Sequence, residues 1–154
     1  MVGSSNAEHE YAIGEFVRQH GLESQVIWRG ALYGDDKWLA FGRADLFVHP
    51  TLNDYFPLVL LEAMQFGLPI VSTRVGAISE IVTHGTHGLI VEPDDAQALA
   101  GAIESLLRDP QRRRRMAVAS RCSFLEQYTP ERFSNNLSAV FEAEGLIDRE
   151  VLEK

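Results

Sequence analysis

The chain has 154 residues, 45% of them hydrophobic and 23% charged, the balance of a folded chain with room for one domain and a real core. Its 14 Lys and Arg against 22 acids leave a formal net charge of −8, which argues against nucleic acid as a partner. No apolar run approaches the roughly 20 residues of a membrane span, MVGSSNAEHE lacks a basic-then-apolar signal pattern, and the single Cys122 allows no internal disulfide and suits a reducing cytoplasm.

In chain order, the opening VGSS reads as the tail of a strand that runs straight into a helix. HEYAIGEFVRQHG spaces its apolar residues as an amphipathic helix ending at Gly21, a suitable C′ residue. QVIWRG is a short apolar run and is predicted as a strand. DDKWLAFGRA follows as a short helix, with Asp35 and Asp36 expected to cap its start. DLFVHP is a second strand, closed by Pro50. After the loop TLNDYF a helix begins at Pro57, the N1 residue that proline favours, and ends near Gly67. PIVST is a third strand, ISEIVTH a short helix and GLIVE a fourth strand. The remainder is helical: PDDAQALAGAIESLLRD, opened by Asp94 and Asp95, then PQRRRRMAVASRCSFLEQY and PERFSNNLSAVFEAE.

Strands alternating with helices predict an α/β fold, a Rossmann-like doubly wound parallel sheet with a helical C-terminal segment. The strands are short, apolar and unalternated, as required where helices cover both faces. Residues 1–154 are expected to form a single domain, entered partway, because a doubly wound domain has strands ahead of VGSS.

Ligands of such sheets bind outside the carboxyl ends of the strands. Two loops leave strand ends there, TLNDYF and RVGA. The first leads into a helix whose free amides and partial positive charge attract phosphate. Pro57 has no amide hydrogen, but Phe56, Leu58 and Val59 each offer one. Glu62 follows within Leu60, Leu61, Ala63 and Met64, where an unpaired buried carboxylate is expensive. A ligand carrying an anion and adjacent hydroxyls would suit both groups, with diphosphate on the amides and ribose hydroxyls on Glu62. The alternative partner for Glu62 is an arginine, Arg29 or Arg74.

The stretch DYFPLVLLEAM strongly resembles the donor-binding region of retaining glycosyltransferases of the GT-B fold, the group 1 or family 4 set. Their pattern is a Glu, seven residues and a second Glu, as in EGFGLVLLEAM. The resemblance continues through GLPIVST, VGAISEIV, HGLIVEPDD and AQALAGAIESLLRDPQRRRRM, from about residue 25 to about residue 130. It implies the C-terminal, nucleotide-sugar-binding half of a GT-B enzyme that moves a sugar from a nucleotide-diphosphate donor to a glycan, lipid or other acceptor. Polysaccharide biosynthesis in the cytoplasm, or at the inner face of the membrane, is the implied setting. Glu62 would bind the donor's ribose, and the amides at Phe56, Leu58 and Val59 its diphosphate. Asp54 would hold the catalytic position of the first glutamate beside the sugar, and Gly30 and Leu32 would lie near the base. No cofactor or metal is implied, because amides and basic side chains stabilise the leaving diphosphate.

Three departures from the pattern stand out. Asp54 is one methylene shorter than glutamate, Tyr55 replaces a glycine, and nothing matches the Arg and Lys that neutralise the diphosphate. The acceptor domain is expected to lie outside this chain, which alone is expected to be inactive. Two other readings compete: a nucleotide-sugar epimerase of similar fold, and a non-catalytic flavodoxin-like module such as a receiver domain. The latter wants a late lysine that GLIVEP does not supply.

Several residues have two readings. Asp54 is either the sugar-side carboxylate or an Asx-turn residue. Gly76 either lends an amide to the ligand or serves as a turn glycine. Arg112 to Arg115 form either a patch for acidic lipid headgroups, giving peripheral membrane contact, or a solvated helix face. The histidines show no metal-site spacing. His49, at the end of a strand beside the proposed pocket, is the one to mutate.

Overall fold

The computed structural model describes residues 7–146, so the predicted VGSS strand tail lies outside the described residues. The chain forms two compact units, divided between Arg43 and Ala44. The first unit holds α1 (Ala7–Gln19) and α2 (Gly34–Gly42). Glu8 and Glu10 in the first turn of α1 and Arg18 in its last complement the helix dipole. The helix closes through the amides of Gly21 and Leu22, bonded to the carbonyls of Arg18 and Val17 at 3.2 and 2.9 Å.

QVIWRG is not a strand; it is an irregular connection, and Ile27 is exposed. A strand exists only through a ladder with a neighbour, and among the described residues of this unit there are two helices and no strand. Asp35 and Asp36 do not cap α2. The N-cap residue is Tyr33, without a side-chain bond, and the two acids sit in the first turn, where they meet the dipole instead.

The second unit builds β1 (Phe47–His49), α3 (Leu58–Gln65), β2 (Ile70–Thr73), α4 (Ile78–Ile81), β3 (Gly88–Val91), α5 (Ala96–Arg108), α6 (Pro110–Gln127) and α7 (Pro130–Ala143). The three strands form one parallel sheet in the order β1-β2-β3. Phe47 pairs with Ile70 and Ile70 with Gly88 at the start of the register. All four residues of β2 are buried, which requires helices on both faces of the central strand. The α/β architecture with a parallel sheet and a helical C-terminal segment is thus present, with three strands among the described residues where four were predicted there.

Val71 and Leu89 pack with Leu106 of α5 and Met116 of α6, and Val48, Leu99 and Ile103 join them. Each such large side chain contributes about 1.5–3 kcal/mol on burial. Caps mark where the C-terminal helices begin. Asp95 accepts from the Ala98 amide at 2.8 Å, Asp109 from Arg112 at 2.9 Å and Thr129 from Arg132 at 3.3 Å.

The four-arginine run lies in the first turns of α6 and spreads around it. Arg113 turns inward and donates to the carbonyls of Leu106 and Leu107 at 3.0 and 3.2 Å, closing the C-terminus of α5. Its other nitrogen lies 3.5 Å from Asp45, whereas Arg114 and Arg115 are exposed.

Candidate functional site

The carboxyl ends of β1 and β2 carry the loops at residues 50–57 and 74–77, and hydrogen bonds tie these loops together. The hydroxyl of Ser72 donates to the His49 carbonyl at 2.8 Å, and that of Thr73 to the Thr51 carbonyl. The Ala77 amide donates to the Tyr55 carbonyl at 2.9 Å. Gly76 has a φ of +48°, and a Cβ on it would lie 2.1 Å from the Asp54 carbonyl oxygen. Its glycine identity is therefore required twice, by conformation and by the backbone pressed against it. VGAIS signalled a turn; the close approach to the other loop was not readable from it.

Helix α3 starts at Leu58, and Pro57 is its buried N-cap residue rather than its first helical one. With ψ at 102°, Pro57 is extended, and its carbonyl accepts from Leu60 at 3.0 Å. The amides of Leu58 and Val59 have no intrahelical acceptor at this end. Leu58 is exposed and Val59 half-buried, so the expected anion-facing segment lies at the surface of the sheet's carboxyl edge. Phe56 and Tyr55, just before it, are exposed as well. Asp94 is the only non-glycine with positive φ among the described residues, so Tyr55 stands where glycine is usual without backbone strain.

Glu62 is half-buried, not sunk in the core. Leu60, Ala63 and Met64 face inward, whereas Glu62 shares the i, i+4 stripe of Leu58 and Phe66, both exposed. Helical side chains lean toward the N-terminus, which aims Glu62 at the turn carrying the free amides. Arg74, offered as a partner for Glu62, pairs instead with Glu92 at 2.8 Å. Asp54 is one-third exposed, and its Oδ2 lies 3.4 Å from Nε2 of His49. The turn-shaping hydroxyl in this loop belongs to Thr51, which accepts from the Asn53 amide at 3.2 Å.

Gly30 and Leu32 belong to the first unit, both half-buried in the connection before α2. Two concavities lie away from the carboxyl edge. One, of about 320 Å³, sits near the amino ends of β1 and β2 among Asp45, Pro69 and Arg113. The other, about 700 Å³, lies along Ala100, Glu104 and Leu107 of α5. Among the described residues there is no group of three or more metal-ligating side chains, and no helix is long and apolar enough to cross a membrane.

The sequence model of the family described as "Glycosyl transferases group 1" matches residues 1–122. The chain belongs to this family. A group 1 relative, N-acetyl-alpha-D-glucosaminyl L-malate synthase of Bacillus anthracis, is 32% identical over 127 residues, 82% of this chain and 33% of the relative. The chain thus spans about a third of that enzyme's length. A crystal structure of the C-terminal domain of a group 1 protein, LpcC of Francisella tularensis, superposes with a TM-score of 0.73 at 26% identity. It matches over 81% of this chain and 65% of that one. Anabaena HepE in complex with UDP matches with a TM-score of 0.77 at 25% identity, over 90% of this chain and 40% of HepE. The fold is that of the C-terminal domain of GT-B glycosyltransferases, as the DYFPLVLLEAM resemblance implied.

Proposed function

We propose that this chain is the donor-binding part of a retaining glycosyltransferase, which transfers a sugar from a nucleotide-diphosphate donor to a saccharide or lipid-linked acceptor. The observation that carries this reading is the α3 N-terminus at the carboxyl edge of the parallel sheet. There the Asp54–Val59 loop is braced by Gly76 and Ala77, and Glu62 leans back toward it. The amides of Phe56, Leu58 and Val59 hold the diphosphate through the helix field and direct hydrogen bonds. Glu62 accepts the vicinal ribose hydroxyls, and Asp54 meets the sugar. Gly30 and Leu32 take part in base recognition by family pattern alone. The UDP held by HepE makes a uridine diphosphate donor the first to try.

Chemically, breaking the bond between sugar and phosphate leaves a second negative charge on the diphosphate. Amides already oriented toward it stabilise that charge without reorganising, so they favour the transition state over the ground state. No metal is assigned in this reading.

The test is a thermal melt of the chain with UDP-, GDP- and ADP-sugars, followed by calorimetry on the one that stabilises most. Glu62→Ala should weaken nucleotide binding by about tenfold or more, the value of a charged hydrogen bond. Unchanged affinity in this variant would remove the ribose assignment.

A further inference from the structure

We propose that His49 is a positioning residue for Asp54, holding one oxygen of its carboxylate so that the other faces the sugar of the donor. This rests on the donor-site reading above and deepens it. The pair is held at both ends. His49 is the last residue of β1, its carbonyl accepts from both the Ser72 hydroxyl at 2.8 Å and the Thr51 amide at 3.0 Å, and its ring stacks on Phe47 at 6.2 Å. Asp54 is held from the other side by Gly76, whose Cα approaches the Asp54 carbonyl too closely for any side chain. Between these fixed backbones the imidazole Nε2 and the carboxylate Oδ2 lie 3.4 Å apart, with the two side chains 23% and 33% exposed.

An ionised carboxylate only accepts, so Nε2 carries the hydrogen and donates to Oδ2. That leaves Oδ1 for a sugar hydroxyl. The contact also answers the missing methylene at this position. The shorter arm of aspartate cannot reach as far as glutamate, but it is in range of a ring at the strand end, which limits the conformers it samples before the ligand arrives. A carboxylate ordered in advance loses less freedom on binding.

Three other histidines have different tasks. His84 and His87 accept backbone amides of Ile90 and Thr83 through Nδ1, and His20 sits on the Phe16 carbonyl. Of these four, His49 is the one that meets a side-chain carboxylate.

The experiment is calorimetry on the chain with UDP-glucose, UDP-N-acetylglucosamine, GDP-mannose and ADP-glucose, each beside its free UDP, GDP or ADP. His49→Phe keeps an aromatic ring but no donor. It should weaken the best nucleotide sugar about tenfold while changing the free nucleotide less than about twofold, since only the sugar meets Asp54. His49→Gln places an amide donor near the Nε2 position and should recover most of the loss, and adding His49→Phe to Asp54→Ala should cost nothing further. Equal weakening of sugar and free nucleotide would make His49 a general structural residue and overturn its role. So would a His49→Phe chain that binds like the parent, with the donor site itself intact. A parent chain that binds none of these probes overturns the donor site and the positioning role together.

Discussion

Replacing Gly76 by alanine probes the contact that braces the loop leading into α3. At a φ of +48°, an alanine costs about 1–2 kcal/mol for the left-handed backbone alone. Its Cβ would then stand 2.1 Å from the Asp54 oxygen, 2.8 Å from the Tyr55 oxygen and 3.0 Å from the Tyr55 Cα. These obstacles are backbone, so no rotamer change relieves them; residues 54–56 must shift and stretch the 2.9 Å bond from Ala77 to Tyr55. Such overpacking adds about 1–3 kcal/mol. The sum, about 2–5 kcal/mol, is a large part of the roughly 5–15 kcal/mol that holds a domain together. Gly85→Ala is the matched control: its φ is +81°, and nothing lies within 4 Å of the added Cβ. It should therefore show the conformational cost without the clash. Urea unfolding with an unchanged slope gives both losses, and their difference of about 1–3 kcal/mol isolates the loop contact. Nucleotide binding should fall with Gly76→Ala and persist with Gly85→Ala, because the amides of Phe56, Leu58 and Val59 follow the displaced loop. Equal losses of stability in the two variants would refute the proposed bracing.

Other variants test the scaffold. Leu106→Ala empties a fully buried position against Val71, Leu89 and Met116, and should cost about 2–5 kcal/mol by chemical denaturation. Arg113→Met leaves the last carbonyls of α5 without their donor and should cost about 1–3 kcal/mol, whereas Arg115→Met on the exposed side should stay within about 0.5 kcal/mol. A matching loss from both would mean that Arg113 is no cap. Burial holds the His87 imidazole below its ordinary value of 6.5, against a weaker opposing hydrogen bond at Ile81. The unfolded chain then takes up this proton first, so the His87 contribution is intact above pH 6.5 and declines as pH falls toward the folded value. His87→Asn, which keeps an acceptor for the Thr83 amide, should flatten that limb of the stability profile; a profile identical to the parent's would clear His87 of it.

Much of the second unit was legible along the chain. PIVST and GLIVE were recognisable as strands because a strand covered on both faces must be apolar at consecutive positions, whatever surrounds it. Asp95 announced the start of α5 because its carboxylate meets an amide only three residues on, whereas Asp35 and Asp36 fell inside the first turn of α2 instead of at its cap. The Asp54 to Glu62 spacing, with its proline and apolar helix, likewise named the family without help from long-range contacts.

What escaped the sequence was whatever depends on a distant partner. QVIWRG has the composition of a strand, but a strand is a relation between two segments, and composition does not say whether a second is present. Glu62 looked buried among its neighbours in the chain, yet helical periodicity turned it onto the open stripe with Leu58 and Phe66. The meeting of Gly76 with the Asp54 backbone comes from parallel strands ending side by side, which brings loops some 20 residues apart into contact. The approach of His49 to Asp54, five residues on, comes from the path of the loop between them, which residue types alone did not give. Residue type and spacing determined which groups this protein brings to the proposed donor site. Only the tertiary structure decided which of them stand close enough to act on one another, because hydrogen bonds and steric contacts vanish within a few ångströms while chain distance carries no such limit.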